Sequence, residues 1–154
     1  MADQSTIGME FPASTFTIEK SKIIEFVIAV SQKETKHQIP PVYHDEEAAK
    51  AAGYEGIPTP PSFLTSSFFW TGDGLPGMLT ALGINLQRLL HREEEYEYYG
   101  PIHAGDIITR KMKVADIIKK GKGARPFDMT ILEVEYLNQR NERVANSRTT
   151  LTEL

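Results

Sequence analysis

The sequence predicts an α+β domain in which a long antiparallel, curled sheet wraps one very apolar central helix. Three observations carry this. Helical periodicity governs the segment from Ser21 to about Gln32. Residues Ser62 to Trp70 are apolar on most faces and begin just after Pro60-Pro61. From Ile84 onward the pattern changes to four strand-like stretches separated by short polar turns. Helices first and strands later is the order of an α+β fold, and successive strands joined by tight turns pair antiparallel.

The elements follow in order. Met1 to Pro12 reads as a loose, flexible arm, and Phe16 to Ile18 as a short strand. Ile23, Ile24, Val27, Ile28 and Val30 recur at helical spacing, with Ser21 placed to cap the helix. Lys33 to Pro41 is polar and then proline-bounded, which makes it a stiff loop. Asp45 caps a short helix running through Ala51, with Glu46 and Glu47 favourable in its first turn and Gly53 at its end. Gly56 to Pro61 is a second rigid loop, and prolines at a first helical turn are tolerated because their missing N–H has no partner there. A helix apolar nearly all round is a buried one, which places Ser62 to Trp70 at the centre. Thr71 to Gly83, with four glycines and a proline, reads as a long excursion. Leu86 to Tyr99, Ile107 to Ile118, Met129 to Asn138 and Val144 to Leu154 suit strands, the third alternating at period two. Lys119 to Arg125 and Asn138 to Glu142 are the turns between them.

Composition narrows the function. A chain of 154 residues, 40% hydrophobic and 25% charged, suits one globular domain over 1–154. A net charge of −4 without a basic stripe argues against nucleic acid as a partner. The absence of cysteine excludes thiolate chemistry and Cys-based metal sites and fits a cytoplasmic location. The N-terminus lacks a basic n-region and an apolar core, so it is not read as a secretory signal. No apolar run nears the ~20 residues of a membrane helix, so no membrane partner is expected. The four histidines lack paired ligand spacing, so no metal and no cofactor are expected.

Four segments carry a resemblance. FTIEKSKIIEFVIAVSQ, YHDEEAAKAAGYEGIPTPPSFL, YEYYGPIHAGDIIT with its P-x-x-x-G-D pattern at Pro101, Gly105 and Asp106, and RVANSRTTLTEL resemble, in order, the segments of the MaoC-like branch of the hot-dog fold. The chain looks closest to the fatty-acid-synthase-like, N-terminal-type dehydratase subunits. The resemblance implies a single hot-dog domain that binds acyl thioesters of coenzyme A or acyl carrier protein. It also implies hydration of trans-2-enoyl chains or dehydration of (3R)-hydroxyacyl ones. An Asp and a His five positions later move the protons in that family, and a backbone N–H at the start of the central helix polarises the thioester carbonyl.

Laid on the family pattern G-D-x-N-P-[I/L]-H-x-D, Pro41, Val42 and Asp45 match, but the Asp position holds Gln38 and the His position Tyr43. Gln is no general base, and a tyrosine hydroxyl, which ordinarily ionises near pH ~10, is a poor one at neutral pH. His44 is one residue past the expected site and is the candidate substitute; its alternative role is a helix-flanking surface residue. The thioester carbonyl and chain would meet Pro61, Ser62, Phe63 and Trp70. His37, Glu34, His91 and His103 read as surface or turn residues, and Asp106 as a turn-former. The expected function is therefore the substrate-channel subunit of a (3R)-hydroxyacyl-thioester dehydratase or enoyl-thioester hydratase, as a homodimer or paired with a catalytic MaoC-like subunit. The alternative is a non-catalytic acyl-CoA-binding protein. A thioesterase ranks last, because Ser62 to Trp70 contains no carboxylate.

Overall fold

The computed structural model describes residues 3–69, 71–72, 74–121 and 127–154. Five antiparallel strands form one sheet: β1 (Ser14–Thr17), β2 (Leu89–Tyr98), β3 (Ile107–Lys120), β4 (Phe127–Leu137) and β5 (Arg143–Glu153). Their spatial order is β1-β3-β4-β5-β2, so β3, β4 and β5 are a meander while β2 crosses to the far edge beside β5. The β4–β5 turn is closed by Asn138, whose Oδ1 accepts from the N–H groups of Arg140 and Glu142 at 2.9 and 3.0 Å. The β3–β4 turn at residues 122–126, and with it Lys122-Gly123, lies outside the described residues.

Among the described residues three α-helices precede β2: α1 (Lys20–Val30), α2 (Glu46–Ala51) and α3 (Gly74–Ala81). Asp45 caps α2 as expected, its Oδ1 accepting from Ala48 N–H at 2.7 Å, and Gly53 follows with a left-handed φ of +91°. α1 starts at Lys20 with Glu19 rather than Ser21 at its cap, and ends at Val30 because Gln32 turns left-handed at φ +53°. The excursion expected over Thr71 to Gly83 contains α3. Leu75, Met78, Leu79 and Leu82 repeat at helical spacing there, and their burial outweighs the glycines. The N-terminal segment is not a loose arm along its length: Gly8 N–H and Phe11 N–H donate to Val114 and Met112 carbonyls, and Met9 accepts from Val114 N–H, all at 2.9 Å.

The expected central helix is present as a seven-residue 3-10 helix, Phe63–Phe69; Trp70 lies outside the described residues. Hydroxyls compete for its carbonyls, Ser66 Oγ bonding Phe63 O at 2.6 Å and Thr71 Oγ1 bonding Ser67 O at 2.7 Å, which favours the tighter winding. Its Phe63, Leu64 and Phe68 sink into a core shared with Ile23, Val27, Ile57, Ile102, Ile108 and Leu132. No helix among the described residues is long and apolar enough to cross a membrane.

Candidate functional site

Two rigid loops and the start of the 3-10 helix frame the site. Gln38 closes a 3-10 turn over Lys36–Gln38, its side-chain Oε1 accepting from the N–H groups of Glu34 and Thr35 at 2.8 and 3.3 Å. Gln38 is thus an exposed cap folded back on its own backbone. Gln38→Ala is expected to cost about 1 kcal/mol, with Gln38→Glu restoring most of it. A denaturant midpoint unmoved by the alanine would show that the cap contributes nothing.

After buried Ile39 and exposed Pro40, a second 3-10 turn over Pro41–Tyr43 packs against α1 and α2. Tyr43 is half-buried against the core, and His44 follows, half-buried, its N–H held by Pro41 O at 3.0 Å. Among the described residues, no hydrogen bond or ion pair joins Gln38, Tyr43 and His44 to one another, and the imidazole of His44 has no carboxylate to orient it.

The second rigid loop is clasped by the Pro101 to Asp106 turn. Thr59 N–H donates to Ile102 O and Ala104 N–H to Ile57 O, both at 2.8 Å. Asp106 stiffens that turn: its Oδ2 accepts from His103 N–H at 2.8 Å and its Oδ1 from Gln139 Nε2 at 3.0 Å. The imidazole of His103 lies largely buried beside it, Nδ1 3.8 Å from Asp106 Oδ2, with Tyr54 edge-on. Two motifs far apart along the chain therefore hold each other, a contact that spacing alone does not reveal.

Ser62 is exposed at the entry to the 3-10 helix, and its N–H has no acceptor among the described residues. Pro61 is exposed, and its carbonyl accepts from Tyr98 Oη. Phe63 is 1% exposed and meets Phe26 edge-on at 5.5 Å, so in this chain it is a core residue. Tyr96 and Tyr98 stack at 5.7 Å along β2, and Tyr96 Oη lies 2.5 Å from Thr65 Oγ1, which staples the helix to the sheet. Beneath it Arg110, 7% exposed, reaches Ser67 Oγ at 3.3 Å and covers the Phe68 ring at 4.4 Å. Composition does not signal this polar layer, because inward-facing tyrosines and an arginine look like surface residues in a sequence. The pair His91 Nε2 and Glu94 Oε2, 3.0 Å apart at the edge of β2, is likewise hidden there.

Burial, first of all, raises the hydroxyls of Tyr96 and Tyr98, and it pushes that of Tyr136 up to about 12. Each then holds its proton in the folded chain at a pH where the unfolded chain releases it, so stability falls as pH rises above about 10. Tyr136 alone should remove about 2–3 kcal/mol between pH ~10 and ~12. Denaturant titrations at several alkaline pH values check this; an unchanged alkaline loss in Tyr136→Phe would contradict it. No cluster of three or more His, Cys, Asp or Glu side chains able to hold a metal occurs among the described residues.

Comparison with known proteins agrees with this fold. The family described as the FAS1-like dehydratase domain region matches residues 5–147. A UPF0336 protein of Saccharopolyspora erythraea is 31% identical over 150 residues, 97% of this chain and 89% of that one. In structure, the chain resembles a C-terminally truncated HadBC complex, a (3R)-hydroxyacyl-ACP dehydratase from Mycobacterium tuberculosis. The TM-score is 0.75 at 20% identity, covering 96% of each chain. It also resembles a MaoC-like dehydratase from Rhodospirillum rubrum, with a TM-score of 0.64 at 20% identity, covering 96% of this chain and 92% of the other.

Proposed function

This chain belongs to the FAS1-like dehydratase family of MaoC-like hot-dog proteins, and from that premise we propose that it is the substrate-channel subunit of a (3R)-hydroxyacyl-thioester dehydratase or enoyl-thioester hydratase. A second hot-dog subunit supplies the acid and base. One observation carries this reading: the family's acid position holds Gln38, whose amide oxygen is engaged by the N–H groups of Glu34 and Thr35. The scaffold around it is kept, with the proline loop clasped by the Pro101 to Asp106 turn and an unengaged Ser62 N–H at the helix entry. On this reading the chain binds and orients an acyl thioester of coenzyme A or acyl carrier protein. The partner's carboxylate and imidazole move the protons of water and of the α-carbon. That HadBC is itself a complex of two chains supports a hot-dog partner for this one.

The engaged Gln38 equally suits a second reading, a binding protein for acyl-CoA without chemistry. Hydration of crotonyl-CoA separates the two. The chain alone should leave it unreacted, and the chain mixed with a MaoC-like partner that keeps an Asp and a His should hydrate it. No gain over the partner alone would favour the binding protein. Fast hydration by this chain alone, lost in His44→Ala, would refute both.

A further inference from the structure

The two edges of the sheet are finished differently. The outer side of β3 is covered, residues 14–17 pairing as β1 and residues 8–11 continuing along Met112 and Val114. β2 has β5 on one side and no strand on the other among the described residues. Alternate N–H and C=O groups of β2 therefore point out of the sheet and can take another strand. The register shift between His91 and Glu93 restricts the regular part of this edge to residues 93–98.

That part reads Glu93-Glu94-Glu95-Tyr96-Glu97-Tyr98. Tyr96 and Tyr98 face inward onto the 3-10 helix, and Glu94 shares their face, so Glu93, Glu95 and Glu97 line the outer face together. Lys111, Lys113, Arg143 and Arg148 line the same groove as Glu95 and Glu97, but Lys111, Lys113 and Arg148 ion-pair there with Glu135 and Glu133. Among the described residues Glu93 has only Arg92 Nε at 3.6 Å, both side chains being exposed, and Glu97 accepts from Tyr99 Oη. Arg148, across the ladder from Glu95, gives its guanidinium to Glu133 at 2.9 Å.

Two copies of this chain joined edge to edge about a two-fold axis must set outer residues against outer residues. Centred on Glu95, such a pairing puts Glu95 against its own copy and Glu93 against Glu97 on both sides. Centred on Glu94 or Tyr96, it puts Glu95 against Glu93 or against Glu97. Centred on Glu93 or Glu97, that residue meets itself. Each symmetric register centred on residues 93–97 therefore opposes like charges, which is destabilising, whereas one centred on Tyr98 sets Tyr98 against itself and Glu97 against Tyr99. A partner strand with Lys or Arg on its outer face turns the same contacts into attractions.

We propose that the Glu93, Glu95 and Glu97 row selects the partner: the β2 edge takes a different hot-dog subunit with a basic outer face on its edge strand, and disfavours a second copy of this chain. The proposal names the partner's chemistry and rests on the reading that the chain works beside a second hot-dog subunit.

Sedimentation equilibrium tests it without an identified partner. The samples are the unaltered chain, E93Q/E95Q/E97Q, E93K/E95K/E97K, and an equimolar mixture of the unaltered chain with the lysine variant. Circular dichroism first confirms that each is folded. The glutamine variant should self-associate about tenfold or more tightly than the unaltered chain at low salt. The mixture should form mixed dimers more tightly than either component forms its own, an advantage that shrinks between roughly 0.05 and 0.5 M salt. A homodimer of the unaltered chain whose dissociation constant the glutamine change does not shift would overturn the proposal. So would a mixture that forms no mixed dimers. Association is read without any thioester, so a failure in crotonyl-CoA hydration leaves this result standing, and the converse holds.

Discussion

Crotonyl-CoA hydration should rise at least about 100-fold when this chain's complex is formed with a partner carrying an intact Asp and His, relative to this chain alone. A positioned acid and base are worth about 10²–10⁴-fold, and on the proposed reading this chain supplies neither. Gln38 cannot ionise, and its side-chain oxygen already accepts two backbone N–H groups. Among the described residues His44 has no hydrogen-bonded carboxylate to fix its orientation, the feature that normally completes an imidazole base. The expectation extends to variants in the complex. Gln38→Glu, Tyr43→Phe and His44→Ala in this chain should leave kcat within about threefold, whereas loss of the partner's histidine should cost the full factor. A His44→Ala complex that loses activity while keeping its affinity for substrate would place the chemistry in this chain instead.

Phe63→Ala should destabilise the chain by about 3–5 kcal/mol, the range for removing a buried aromatic and leaving a cavity. Phe63 is 1% exposed, meets Phe26 edge-on at 5.5 Å, and lies in the apolar cluster joining α1, the central 3-10 helix and the sheet. In a chain of this size the melting temperature should fall by about 10 °C or more. Phe63→Leu, which refills most of the volume, should recover more than half of the loss. A loss under about 1 kcal/mol would mean that the ring borders open space, as expected of a channel-lining residue.

Much of the candidate site is legible in the sequence. The rigid loops follow from their prolines, and the α2 cap from Asp45 preceding two glutamates. These are local properties: a proline fixes its own φ, and a cap bonds an amide three residues away. That the Gln38 side chain caps its own turn is not legible there, because it depends on the path of the preceding residues. α3 is masked by its glycines, a weaker influence than the burial of Leu75, Met78, Leu79 and Leu82.

The α+β class, all five strands to within about three residues, and the central place of the apolar segment follow from the amino-acid order alone. Each depends on periodicity or on turn residues acting over a few positions. Three features belong to tertiary packing instead. β2 crosses to an open edge, residues 8–11 cover the opposite one, and the Ile57 to Thr59 loop is clasped by the turn ending at Asp106. Those contacts join residues tens of positions apart. Their stability comes from the shared core and from pairing the backbone groups of each strand, terms that exist only once the sheet has closed around the helix.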